Sequence, residues 1–312
     1  VRHHTAITEQ NRELIREILK YKRQKRQLVK VGTALSAHND LTTVLDVILS
    51  ELRVMVGADA GSMYIRGKKL LDEKPTNVLY FTVSQNDTLE DIPQKSRSFP
   101  VPIDSTTIAG HVALSGEPLS IDDVYTLDDA VPYTFGRKYY EEKFNYRVKS
   151  MLTVPMKNLA GEVVGVLQLI NKKERGAPPL TDPQTVEEHV TPFTFTDEES
   201  VLSIASQAAV SIERAQLHDN IQRLFEGFLN SSIAAIDERD RVTSGHSRRV
   251  MGYAMAFVDT VNEQKTGPFA DIFFSPERKR QFKFAALLHD IGKIGVPEEV
   301  LTKESKLSKG QM

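Results

Sequence analysis

The 312-residue chain carries 40 Lys and Arg against 42 Asp and Glu, a formal net charge of -2, and no cysteine. Near-neutrality gives no global attraction to nucleic acid or an anionic membrane, and the lack of cysteine excludes disulfides and thiolate metal sites, which fits a cytoplasmic setting. This length predicts two domains of about 100–200 residues, and no apolar run approaches the ~18 residues of a membrane span. The opening VRHHTAITEQ has no signal-peptide character and no initiator Met, so an internal fragment of a longer protein is expected.

Residues 1–36 place Ile7, Leu14, Tyr21, Leu28 and Leu35 on a strict seven-residue spacing, with Ile18 on the neighbouring seam. That spacing predicts a coiled-coil-like helix, and Asn11 and Lys25 on the companion seam limit it to a short dimer contact. KYKRQKR within it carries five positive charges. The segment reads either as a solvated helix face or as a stretch just inside an upstream membrane anchor.

Residues 37–214 change to a mixed pattern. Leu41, Val44, Leu45, Ile48 and Leu52 predict an amphipathic helix, followed by strand-like runs GSMYIR, VLYFTV, RSFPVPI, SMLTVPMK and EVVGVLQLI. KNLAGEV between the last two predicts a hairpin, because Asn158 and Gly161 tolerate tight-turn backbone angles. One antiparallel sheet with helices packed on a face is expected, an α+β domain. The Pro-rich stretch from Glu174 to Pro192 reads as a surface insertion.

A second long helix is expected from near Thr196, capped by Thr-Asp-Glu-Glu, with 215–235 as a linker. Val210, Leu217, Ile221, Leu224 and Phe228 step by seven, four, three and four, which keeps one stripe facing a partner helix. With no Pro before Pro268, the helix reads as a continuous rod. The alternative is a plain domain-packing helix.

IAGHVALSGEPLSIDDVY (108–125), YRVKSMLTVPMKN (146–158) and GEVVGVLQLINK (161–172) resemble the GAF family of small-ligand sensor domains. Asn171-Lys172, followed by Phe193 and by Asp197-Glu198, resembles the NK, F-x-x-x-D-E arrangement of its cyclic-nucleotide-binding subgroup. A Lys at a strand end and an Asp at a helix start can form an ion pair, so Lys172 and Asp197 are expected to clip helix to sheet. The resemblance implies a pocket lined by Ser62, Ser84, Gln85, Ile108, Ala109 and Gln168, for cAMP, cGMP or another small molecule. The chain departs from the subgroup at Phe144 and Val148, where hydroxyl residues often stand, and in the long spacer before Phe193.

TSGHSRRV (243–250) and ALLHDIGKIGVP (286–297) resemble the opening motifs of HD-GYP domains, cyclic-di-GMP phosphodiesterases of the HD superfamily. The resemblance implies a divalent metal pair, Fe or Mn from the mixed imidazole and carboxylate donors, with His246, His289 and Asp290 as ligands. Lys293, three residues past Asp290 on what should be the same helix, would contact a substrate phosphate. Arg248 and Arg249 read as a solvated helix face. Val242 stands where three-metal members carry Glu, which implies a two-metal type. None of the 15 residues after Pro297 is His, Asp or Cys, so the ligand set is expected to be incomplete and residues 236–312 to be the inactive, truncated front of an all-α HD domain.

Together the resemblances imply a bacterial signalling protein. A homodimer joined through its N-terminal and linker helices would let the GAF sensor control a cyclic-di-GMP phosphodiesterase. The alternatives are a ligand-binding GAF module with a degenerate HD segment, or an HD hydrolase acting on another nucleotide such as a guanosine polyphosphate.

Overall fold

A computed structural model describes residues 40–71, 74–89, 100–128, 130–135, 146–239, 245–297 and 300. The heptads of residues 1–36, together with Phe144 and Val242, lie outside the described residues. The chain divides into two compact units, Val1–Gln216 and Leu217–Met312. Among the described residues no helix is long and apolar enough to cross a membrane.

In the first unit, helix α1 (Leu41–Val56) begins at Asp40, whose side chain accepts from Thr43 N at 2.8 Å. It ends at Gly57, held at φ 76 in the left-handed region that glycine adopts without strain. Strands β1 (Ala58–Leu71), β2 (Lys74–Asn86), β3 (Val101–Pro102), β4 (Leu119–Ile121), β5 (Met151–Lys157), β6 (Val163–Lys173) and β7 (Val190–Thr191) build one sheet. Its order is β3-β2-β1-β6-β5-β4, with β7 added at the end of β6, and every named pairing is antiparallel. The β5–β6 turn closes as the sequence predicts, with Asn158 N bonded to Glu162 O (2.9 Å) and Gly161 at φ 81.

Strand alternation divides the core between the two faces of the sheet. Leu152, Val154, Met156, Leu167 and Leu169 face Leu45, Ile48, Leu49 and Leu52 of α1 and Val201, Ile204, Ala205 and Ala208 of the long helix that follows β7. The α1 stripe is fully enclosed, and each such Leu or Ile contributes about 1.5–3 kcal/mol of burial. The intervening residues Met151, Val166, Gln168 and Ile170 turn to the other face, where helix α2 (Ile108–Ser115) and the connection after β4 lie.

Two expectations are corrected in this unit. Glu174–Pro192 is more than a surface insertion: Asp182 caps a short helix α3 (Pro183–His189), with Pro183 in its first turn. Leu180 and Val186 from this stretch are fully buried in the second core cluster. The long helix α4 (Phe195–Arg239) is capped by Thr194 instead of Thr196. Asp197 N bonds Thr194 Oγ1 (3.3 Å) while Thr194 N bonds Asp197 Oδ2 (2.8 Å), a reciprocal pairing that satisfies two terminal donors.

The second unit takes α4 from Leu217 onward together with α5 (His246–Glu263), α6 (Pro276–Leu288) and a 3-10 turn (Ile291–Gly295), so the C-terminal region is helical. α4 runs to Arg239, and α5 begins at His246. Among the described residues of this unit, Leu229, Ile233, Val258, Val261 and Leu287 are buried apolar side chains. Phe225 meets Phe284 edge to face at 5.1 Å, and the Asn262 amide is bonded through both ends to the Phe274 backbone.

Candidate functional site

Two places bring chemistry-bearing side chains together, one in each unit. In the first unit a cavity of about 230 Å³ opens on the sheet face opposite α1, just below the ~300–1,000 Å³ common for small-molecule sites. All six residues expected there, Ser62, Ser84, Gln85, Ile108, Ala109 and Gln168, line it. Register explains the polar floor. Ser84 is directly opposite Ser62 on β2 and β1, and Ser62 is directly opposite Gln168 on β1 and β6, so the three share one face. Val148 also lines the wall, leaving an apolar surface at that point. No charged side chain is among the described residues that line the cavity.

Gln85 lies in the wall with its amide already engaged. Its Nε2 donates to Asp46 O (2.8 Å) and Asp46 Oδ1 (2.9 Å), and its Oε1 accepts from Arg53 (3.2 Å). Gln168, by contrast, meets Tyr64 OH at 3.2 Å and Met151 Sδ at 3.4 Å, both within the cavity lining.

Sequence reasoning does not single out Tyr64 or Tyr146, although both line the cavity. Tyr146 OH donates to Oδ2 of the fully buried Asp59 at 2.7 Å and accepts from Asn171 Nδ2 at 3.2 Å. Burial first, then the Asp59 charge, holds the Tyr146 phenol well above its ordinary pKa, so it stays a donor. Lys173 Nζ lies 2.5 Å from Asp59 Oδ1 and completes a buried ion pair. Asn171 takes a left-handed backbone (φ 54) and bonds Arg147 O and Lys149 N, fixing the strand entry that carries Tyr146 and Val148. The next residue, Lys172, pairs with Asp197 at the start of α4. Burial alone would raise the Asp197 carboxyl; the hydrogen bond from Lys172 and those from Thr194 overcome it and leave the pKa lowered.

In the second unit His246 is the first residue of α5 and His289 is the C-cap of α6, and the two imidazoles meet at 5.4 Å between ring centres. Donor atoms of His246, His289 and Asp290 all lie within 4.8 Å of one another. His289 Nδ1 is 2.8 Å from Ala286 O, a contact satisfied only if Nδ1 carries the proton, which leaves Nε2 as the ring's lone-pair nitrogen. The placement of Lys293 is corrected: α6 stops at Leu288, and Lys293 sits in the 3-10 turn beyond it. Its Nζ lies 2.9 Å from Asp290 Oδ2, and this hydrogen bond, aided by the Lys293 charge, holds the Asp290 carboxyl below its ordinary pKa. Arg248 and Arg249 are exposed. Two imidazoles and a carboxylate, converging and with one ring fixed from behind, suit a transition-metal cation.

A curled antiparallel sheet with a cavity on one face, followed by a helical region with a His, His-Asp cluster, is the arrangement of a GAF-type domain followed by an HD-type domain. The chain belongs to the GAF domain family, whose pattern matches residues 40–212, and an HD domain follows at residues 243–312. It is 28% identical over 201 residues to the dual 3',5'-cyclic-AMP and -GMP phosphodiesterase 11 of Drosophila melanogaster, a match covering 59% of this chain and 11% of that protein. The chain thus spans about a tenth of that relative's length. Among solved structures, the GAF domain of an Acinetobacter phosphoenolpyruvate-protein phosphotransferase aligns with TM-score 0.45 and 17% identity, covering 63% of this chain and 97% of that one. A GAF domain/HD domain protein from Geobacter sulfurreducens aligns with TM-score 0.40 and 17% identity, covering 59% and 98%.

Proposed function

We propose that this chain is the regulatory and front catalytic portion of a bacterial, cytoplasmic signalling protein of HD-GYP type, in which a cyclic nucleotide in the GAF cavity controls hydrolysis of cyclic-di-GMP. The observation that carries the sensor half is the cavity with its polar floor of Ser84, Ser62 and Gln168. Helix α2 begins at that wall, so the first-turn N–H groups of Ile108 and Ala109 would be available to a phosphate, and Phe81 and Phe135 would offer ring surfaces to a base.

For the HD half the supporting observation is the convergence of His246, His289 and Asp290. These residues would give three of the ligands of a divalent metal pair, Fe or Mn, which when bound supplies a hydroxide and neutralises charge on phosphoryl oxygens; three side chains do not complete such a pair, so this stretch by itself would be inactive. Ala286 orients His289 for that task. Lys293, paired to Asp290, keeps that carboxylate ionised and lies close enough to meet a substrate phosphate. Dimerisation through the α4 stripe would bring two sensors and two HD regions under one control, and the ligand must bind the two states of that dimer unequally to regulate it.

Calorimetry tests both halves on the same chain. Titration with cAMP and cGMP should show binding to at least one; no heat at high micromolar concentration removes the cyclic-nucleotide reading. Titration with Mn²⁺ should show binding that is lost in His246→Ala and His289→Ala. Unchanged Mn²⁺ binding in both variants removes the metal assignment.

A further inference from the structure

Gln168 lies on the cavity floor beside Ser62, with its amide held in one orientation by two other lining residues. Its Oε1 accepts from the Tyr64 hydroxyl (3.2 Å) and its Nε2 donates toward Met151 Sδ (3.4 Å). Turning the amide over would set its carbonyl oxygen against a thioether sulfur, which has no hydrogen to offer and accepts only weakly. One orientation therefore satisfies both neighbours. Tyr64 is in turn fixed, 8% exposed and braced edge to face by Phe81 at 5.1 Å.

An amide nitrogen carries two hydrogens, and the Met151 sulfur uses one. The other is left for whatever fills the cavity, so Gln168 offers its occupant a donor. Ser62 and Ser84, directly opposite in register, add hydroxyls that rotate to donate or accept and so do not choose between ligands. The neighbouring amide of Gln85 is engaged with Asp46 and Arg53. The polarity of the floor thus rests on Gln168.

We propose that Gln168, oriented by Tyr64 and Met151, makes the cavity select planar heterocycles that present a keto oxygen to it over those that present an amino group at the same position. In purine terms it favours the guanine or hypoxanthine type over the adenine type. The inference rests on the reading of the cavity as a nucleotide site and adds which base it takes. A mismatched amino group would face the Gln168 N–H donor to donor; a matched bidentate base contact is worth about 5- to 150-fold in affinity, and this single contact falls in the lower part of that range.

The test is calorimetry on the full chain with cGMP, cAMP, hypoxanthine and adenine. The keto member of each pair should bind about tenfold tighter. In Tyr64→Phe the amide is free to turn, and the ratio should fall toward one; in Gln168→Glu, which offers only acceptors, it should reverse. Circular dichroism and a melting curve establish that each variant is folded, and Gln168→Glu decides the matter if Tyr64→Phe is not. Equal binding of keto and amino members by the native chain, or a ratio unchanged in the folded variants, overturns the inference and leaves the nucleotide reading standing. Discrimination between the free bases without binding of either cyclic nucleotide supports the inference and removes the cyclic-nucleotide reading. Absence of binding by all four overturns both.

Discussion

The Tyr146 hydroxyl, on the wall of the GAF cavity, donates to the Asp59 carboxylate, which is completely buried and paired with Lys173. Asp59 also accepts from Thr88 Oγ1 (3.0 Å), and Thr88 Oγ1 accepts from Leu180 N (2.9 Å), so a single acid ties the cavity wall, β6 and the segment before α3 together. Removing one partner from such a group leaves a buried polar atom short of a bond. Tyr146→Phe is expected to lower stability by about 1–3 kcal/mol. Lys173→Met, which strands the Asp59 charge, is expected to cost about 3–5 kcal/mol. Urea denaturation should show the midpoint falling in that order; a Lys173→Met midpoint equal to the native one would contradict the account.

The Lys172–Asp197 pair gives a pH dependence with a definite sign. The folded-state pKa of Asp197 is lowered, so its contribution is present above the unfolded value of about 3.9 and is lost as pH falls through the folded value. Asp197→Asn should therefore destabilise the protein at pH 7 and matter less at pH 3. Urea midpoints of the two proteins at the two pH values check this, and a gap that widens in acid would show the sign to be wrong.

The hairpin at Asn158–Gly161 and the α1 stripe were legible because each is encoded within a few neighbouring residues. The GAF lining was legible only through resemblance, since Ser62, Ser84 and Gln168 become neighbours through register. The Asp59 network left no trace in the sequence. Its acid, its phenol and its cation are 87 and 114 positions apart, and nothing near Asp59 shows that it is buried. Local reading erred where tertiary packing intervened. Burial of Leu180 and Val186 turned a Pro-rich insertion into part of the core. Likewise α6 stops after Leu288, which moved Lys293 off the helix expected to carry it.

Gly165 on β6 is required by close approach. A Cβ there would fall on the Tyr64 carbonyl oxygen and 2.5 Å from Met156 Cε. The methionine can move, but the Tyr64 backbone is held in the β1–β6 ladder, so Gly165→Ala must push the strands apart beside Tyr64 and Gln168. A loss of about 1–3 kcal/mol is expected, together with weaker ligand binding. Thermal melting and calorimetry on the same variant check both, and a substitution neutral in both would contradict the packing argument.

Along α4, Leu217, Ile221, Leu224 and Phe228 are 57–74% exposed, a continuous apolar stripe at coiled-coil spacing. Reading Ile221 and Phe228 as one seam and Leu217 and Leu224 as the other places a β-branched residue on the first and leucine on the second, a distribution that favours parallel two-stranded association. Solvation of four such side chains is unfavourable by about 1.5–3 kcal/mol each, relative to burial, so a second copy of the helix is the expected cover. Size-exclusion chromatography with light scattering should give a dimer mass for the native chain. Leu224→Asp, which puts a charge in the middle of the stripe, should shift it toward monomer while leaving the melting of the sheet domain unchanged. A native chain that stays monomeric at micromolar concentration would remove the dimer from the regulatory scheme, and the cavity would then have to act on the HD region within one chain.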